Sequence, residues 1–120
     1  MVTRIGVHKL LSSVVVHGDT VYLAGQIGEG VTMAEQFRSA LSKVQAHLGA
    51  VQSSKASILQ AQIFLKDIAD FGEMNEIWSS WIDPENPPAR ATIEARLAKE
   101  EYKVEILVIA ARSSMFPIGI

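Results

Sequence analysis

No cysteine occurs anywhere in the chain, which excludes disulfides, thiolate zinc sites and a cysteine nucleophile together. Apolar runs are short, none approaching the roughly 18 residues of a membrane-spanning helix. The N-terminus scatters Arg4, His8 and Lys9 and lacks the ordered charged, apolar and cleavage regions of a signal peptide. Basic runs and basic-aromatic patterns are missing as well. With 11 basic against 13 acidic residues the net charge is -2, so nothing general attracts a phosphate backbone. His8, His17 and His47 lack ligand-like spacing, and no compact Asp, Glu and His cluster offers a metal site. Gly25, Gly28 and Gly30 spell GxxGxG rather than GxGxxG with no lysine to follow, so a phosphate-binding loop is also out. The expectation is a soluble, cytoplasmic, metal-free protein without nucleic-acid or membrane partners.

What the chain does have is a core. At 120 residues and 48% hydrophobic content it is long enough for one domain and short for two. Residues 1–112 are expected to form that domain, with 113–120 a tail. Met115, Phe116, Ile118 and Ile120 make the tail more apolar than a solvated end, so a subunit contact and a loose end both stay open.

Val14-Val15-Val16 and Val21-Tyr22-Leu23-Ala24 flank Gly18-Asp19 and predict a hairpin over 13–25. From Thr32 the period lengthens: Ala34, Phe37, Leu41, Val44 and Leu48 recur at helical spacing, with Thr32 and Glu35 as a capping box and Gly49 as a stop. Ile58 to Leu65 reads as a strand whose Gln60 and Gln62 share a face that is polar or lines an interface. Asp70, Phe71, Met74, Trp78 and Trp81 predict a second helix, capped by Asp70, ending before Pro84 and burying Phe71, Trp78 and Trp81 in the core. Strands over 90–95 and 102–111 close the chain. Two amphipathic helices covering one face of a mixed sheet make an α+β sandwich of two layers.

The chemistry concentrates in Pro87-Pro88-Ala89-Arg90-Ala91-Thr92 and Val104-Glu105-Ile106. Arg90, Thr92 and Glu94 alternate onto one face of a strand, while Glu105 shares a strand face with Leu107 and Ile109. If the two strands pair as an antiparallel hairpin centred between Ala98 and Lys99, Thr92 lies opposite Glu105. Arg90 then sits two residues, roughly 7 Å, along the same face. A lone carboxylate on an apolar face costs several kcal/mol unless it is paired or bonded. A salt bridge from Glu105 to Arg90, Arg96 or Lys103 is the plain reading. The functional one makes Arg90 a forked donor for a substrate carboxylate, which lysine would not reproduce. Thr92 is a pocket wall without an activating base, and Asn75 an amide beside the buried stripe of the second helix.

These segments resemble the reactive intermediate deaminase (Rid, YjgF-like) family. The resemblance runs through Val21-Tyr22-Leu23-Ala24-Gly25-Gln26-Ile27, Glu35-Gln36, Asp67, Asp70-Phe71, Met74-Asn75, Pro88-Ala89-Arg90 and Val104-Glu105-Ile106, in order and over nearly all of residues 4–111. It implies a chorismate-mutase-like subunit, a homotrimer with pockets in the clefts between subunits, and hydrolysis of reactive 2-imino acids and their enamines to 2-oxo acids and ammonia without a cofactor. It also implies roles: Arg90 binds the substrate carboxylate, Glu105 activates water, and Thr92, Asn75, Gly25, Ala24 and Leu11 line the pocket. Ala24 replaces the family's serine and Leu11 aligns near a tyrosine of the best-known members, so a bulkier or more apolar substrate suits this chain. A non-catalytic carboxylate binder and, against the acidic balance, a ribonuclease are the other functions weighed.

Overall fold

The computed structural model describes residues 1–113. Residues 114–120 of the expected tail, with its four apolar residues, lie outside the described residues. Six strands form one sheet: β1 (Val2–Val7), β2 (Ser12–His17), β3 (Thr20–Leu23), β4 (Ile58–Leu65), β5 (Ala89–Glu94) and β6 (Val104–Ala111). Their spatial order is β1-β2-β3-β6-β4-β5. All neighbours are antiparallel except β4 and β5, which run parallel.

The local signals formed what they encode. Gly18 takes φ 62 between His17 and Thr20, which pair directly, so the β2–β3 turn uses glycine where a type II′ hairpin needs positive φ. Helix α1 (Met33–Gly49) opens on the full capping box. Thr32 Oγ1 accepts from Glu35 N–H, and Glu35 Oε1 accepts from Thr32 N–H. Gly49 ends the helix as expected, though not as a left-handed cap. It is the last helical residue, Ala50 stays right-handed, and the reversal falls at Gln52 with φ 60. Helix α2 (Phe71–Trp81) departs from expectation at its start. Asp70 makes no side-chain cap; instead a 3₁₀ turn over Ile68–Asp70 precedes the helix, and Asp67 caps it by accepting from Ala69 N–H.

Both helices cover the same face of the sheet. Val14, Val16, Val21, Leu23, Ala61, Ile63, Leu65, Val104, Ile106 and Val108 pack there against Phe37, Leu41, Val44, Leu48, Met74, Ile77 and Trp78, giving the expected two layers. No layer within residues 1–113 covers the opposite face. Cross-strand partners share a face, so Val15, Tyr22, Ile109 and Gln60 line up across it, beside Leu107, Gln62 and Ala91 and then Glu105, Phe64 and Ile93. Gln62, Phe64, Leu107 and Ile109 are half-buried there, while Tyr22 and Ile93 remain 43% and 45% exposed.

The hairpin expected between residues 90–95 and 102–111 does not form. β4 lies between the two strands: Thr92 pairs with Ile63, and Glu105 with Phe64. The connection 95–103 carries the chain past β4 to its far side. The cause is the crossover through α2, which returns β5 parallel to β4 on the outer edge and leaves the inner position for β6.

Candidate functional site

Strand alternation now decides where each candidate points. Arg90 pairs with Ala61 and Thr92 with Ile63, and Ala61 and Ile63 belong to the helix-covered core. Arg90, Thr92 and Glu94 therefore face the helices from the edge strand, as their shared periodicity required. Glu105 pairs with Phe64 on the uncovered face. Within one protomer the guanidinium and the carboxylate stand on opposite sides of the sheet, so the shared face inferred from the hairpin is corrected.

The first group gathers between β5 and α2. Arg90 lies over two rings of α2, its guanidinium carbon 5.9 Å from the Phe71 centroid and 5.6 Å from that of Trp78. Asn75 falls on the stripe that carries those rings, since residues 71, 75 and 78 share one side of a helix. Glu94 anchors the far end of β5 by accepting from Ile68 N–H at 2.9 Å. Thr92 Oγ1 is buried and has no hydrogen-bond partner. Arg90 has no ion pair among the described residues, where the salt bridges are Lys43–Glu29 and Lys66–Glu100. Burial without a counter-charge lowers its pKa, yet a guanidinium stays protonated in proteins. An unpaired cation and an orphaned hydroxyl stand two residues apart on one face, an arrangement whose free donors can accept an anion.

The second group gathers on the uncovered face near the end of β3. Gly25 packs against Glu105 so closely that a Cβ there would sit 3.0 Å from its Cδ, with Oε2 nearer still. Ala24 is held by its N–H to Ser13 O at 2.9 Å and by Gln26 Nε2, which donates to Ala24 O at 2.9 Å. Gln26 is buried and bridges Ile106 through both backbone groups, so it ties the Ala24-Gly25 segment to the strand that carries Glu105. Leu11 ends the β1–β2 loop, where its carbonyl accepts from His8 N–H. It is 55% exposed and lines an apolar hollow of about 380 Å³ with His8, Lys9 and Leu10. Glu105 has neither an ion pair nor a hydrogen bond among the described residues, so the salt bridge to Arg90, Arg96 or Lys103 does not form. Burial raises its pKa above the usual carboxylate range. A half-buried carboxylate with a raised pKa and free oxygens is suited to proton transfer.

Gln36 holds the frame between these groups. Buried on α1, its Nε2 donates to Gly30 O and Glu101 O, and its Oε1 accepts from Lys103 N–H. One amide thus fixes both the loop after Gly25 and the approach to β6. Sequence reasoning does not assign sites to Gln26, Gln36 or Phe71. Phe71, expected in the core, is 41% exposed; its spacing to Trp78, matched to a strand arginine, is the available signal. A separate cleft lined by Lys66, Glu94, Arg96, Lys99 and Glu100 contains none of the candidate residues. Among the described residues no group of three His, Asp or Glu side chains converges as a metal site, and no helix is long and apolar enough to cross a membrane.

The family model described as endoribonuclease L-PSP matches residues 1–112. A RutC family protein of Haemophilus ducreyi is 40% identical over 113 residues, covering 92% of this chain and 97% of that one. The RutC family protein YoaB of Escherichia coli K12 is 38% identical over 112 residues, with the same coverage of 92% and 97%. Among solved structures, a member of the YjgF protein family from Neisseria meningitidis superposes with a TM-score of 0.93 at 35% identity, covering 95% of this chain and 97% of its own. This chain shares the two-layer, chorismate-mutase-like α+β fold with that structure. The chain belongs to the YjgF/RutC family, the Rid family of the sequence resemblance.

Proposed function

We propose that this protein hydrolyses reactive 2-imino acids and their enamine tautomers to 2-oxo acids and ammonia, at sites assembled between subunits of a homotrimer. The observation that carries this reading is the pair of unsatisfied groups, a guanidinium without a carboxylate and a carboxylate without a cation, on opposite faces of one sheet. A substrate of a few atoms cannot touch both through the sheet. A second copy brings them together, because Arg90 sits on the edge strand and Glu105 on the uncovered face. Two different surfaces meeting in this way make a head-to-tail contact, which closes into a ring when the rotation from copy to copy completes a circle. The patch containing Tyr22, Phe64, Ile93, Leu107 and Ile109 is the apolar surface such a contact would bury. The ring size of three comes from the family resemblance.

The mechanism follows from the groups. Arg90 takes the substrate carboxylate through two parallel N–H donors, which fixes the position and plane of C2. Glu105 of the neighbouring copy accepts a proton as water oxygen bonds to C2, and the C=N π electrons move to nitrogen. Glu105 returns that proton to nitrogen, the hydroxyl proton of the resulting carbinolamine follows by way of the same carboxylate, and the C–N bond breaks as the C=O bond forms, releasing ammonia. Oxidation states do not change. Thr92 and Asn75 offer hydrogen bonds near the carboxylate, and Gly25 and Ala24 shape the wall beside the water. Leu10 and Leu11 favour apolar substrate side chains.

The test generates 2-imino acids in situ with an amino-acid oxidase and follows their decay across several side chains. Acceleration by wild type is expected, with Arg90→Ala raising KM about 10- to 100-fold through loss of a charge-assisted pair. No acceleration with any side chain, or full activity in Arg90→Ala, refutes the reading. Saturable 2-oxo acid binding without turnover would leave a carboxylate-binding protein in its place.

A further inference from the structure

Arg90 is a partly buried cation held by aromatic faces instead of by an anion. Trp78 is nearly buried, at 6% exposure, and is itself braced by Trp81 with ring centroids 5.6 Å apart. Phe71 stands two helical turns earlier on the same stripe of α2 and is open to solvent on its other side. The difference from a salt bridge is chemical. A protein carboxylate would occupy the N–H donors of the fork, whereas a ring attracts the cation through its quadrupole and leaves the donors free. A free arginine also loses roughly 2 kcal/mol of side-chain freedom when it is fixed, and a prebuilt support lowers that cost at the moment of binding.

We propose that Phe71 and Trp78 are positioning residues: they clamp the Arg90 guanidinium in a binding-ready pose with its donors unfilled, and so set affinity for the substrate carboxylate. The inference rests on the reading of Arg90 as the carboxylate receptor. It accounts for two facts that packing alone leaves unexplained. Phe71 keeps a large apolar ring 41% exposed, and β5 turns its polar side chains toward the helices while Ala89, Ala91 and Ile93 face the uncovered side.

The experiment measures 2-oxobutyrate binding by calorimetry, and KM and kcat for imine decay, on the assembled protein. Phe71→Leu is the main variant, because its position is exposed and leucine keeps the apolar character; Phe71→Met replaces it if the melting temperature falls. The expected result is a rise in Kd and KM of about two- to five-fold with kcat unchanged at saturation, restored by Phe71→Tyr. In an Arg90→Lys background the same substitution is expected to cost less, because a compact ammonium cannot stack on the two rings as a planar fork does. Wild-type binding by Phe71→Leu, alongside lost binding in Arg90→Ala, overturns the clamp and leaves the carboxylate reading standing. An equal loss in the wild-type and Arg90→Lys backgrounds overturns positioning in favour of direct contact. Wild-type binding by Arg90→Ala removes the receptor and the clamp with it.

Discussion

Adding one methyl group at Gly25 isolates the position of Glu105 from everything else in the fold. Gly25 has no positive φ requirement, and the nearest neighbours of an added Cβ are all atoms of the Glu105 side chain: Oε2, then Cδ at 3.0 Å and Cγ at 3.4 Å. Ordinary carbon contacts lie near 3.5–4.0 Å, so Gly25→Ala must push the carboxylate aside by about 1 Å. The carboxylate ends a rotatable side chain with no hydrogen bond to break, so it moves while the backbone stays. Stability is expected to remain within about 1 kcal/mol of wild type. A 1 Å misplacement of a reacting group costs on the order of 100-fold in rate, and here it falls on kcat, because Arg90 lies elsewhere and binding of the carboxylate is untouched. The assay is imine decay with calorimetric 2-oxo acid binding and a melting curve alongside. Wild-type kcat in a folded Gly25→Ala protein would refute the claim that Glu105 acts from where the fold places it. Loss of the fold would refute the claim that only its side chain must yield.

Glu105→Gln should abolish most turnover while leaving 2-oxo acid binding in place, measured by the same pair of assays. The wild-type rate should fall on the acid side with a limb above the ordinary glutamate value of about 4.3, because burial raises the Glu105 pKa and the base must be ionised. The same shift makes a stability prediction of opposite sense. A carboxyl whose folded pKa is raised is fully tolerated below its unfolded pKa and costs stability as pH rises through the folded value. Glu105→Gln is therefore expected to melt above wild type near pH 7, with the gap closing below about pH 4; a constant gap across pH would count against a burial penalty at this side chain. Gln36→Leu should destabilise by about 2 kcal/mol in denaturant titration, since it strands Gly30 O, Glu101 O and Lys103 N–H without creating a cavity. A neutral result there would mean that water replaces all three bonds.

Elements whose causes are local were legible in the sequence. The β2–β3 hairpin follows from Gly18-Asp19 between β-branched runs, and α1 from its apolar period with Thr32 and Glu35 at the start. Strand pairing was not local. Nothing within residues 90–111 states that β4 lies between the last two strands; that depends on α2 carrying β5 to the outer edge. Alternation did place Arg90, Thr92 and Glu94 together and Glu105 with Leu107 and Ile109, yet the relation between those two faces needed the register to β4. Types of residue were thus readable where their mutual geometry was not. Phe71 escapes a sequence reading for the related reason that helical spacing gives a shared stripe without saying what the stripe meets. Gln26 and Gln36 entered only as members of the resembling segments, and their bracing roles were not legible because Gln36 reaches Glu101 and Lys103 and the Gln26 main chain reaches Ile106, all far along the chain.

The central claim is that Arg90 and Glu105 serve one substrate from two copies of the chain. Subunit mixing tests it most directly: Arg90→Ala and Glu105→Gln proteins, each nearly inactive alone, are unfolded and refolded together at equal ratio, and imine decay is measured. In a head-to-tail ring, about one quarter of the clefts then receive an intact Arg90 from one copy and an intact Glu105 from the next, so about one quarter of wild-type turnover should return. A mixture that mass spectrometry shows to contain hybrid assemblies, yet that stays as inactive as its parents, would contradict the account.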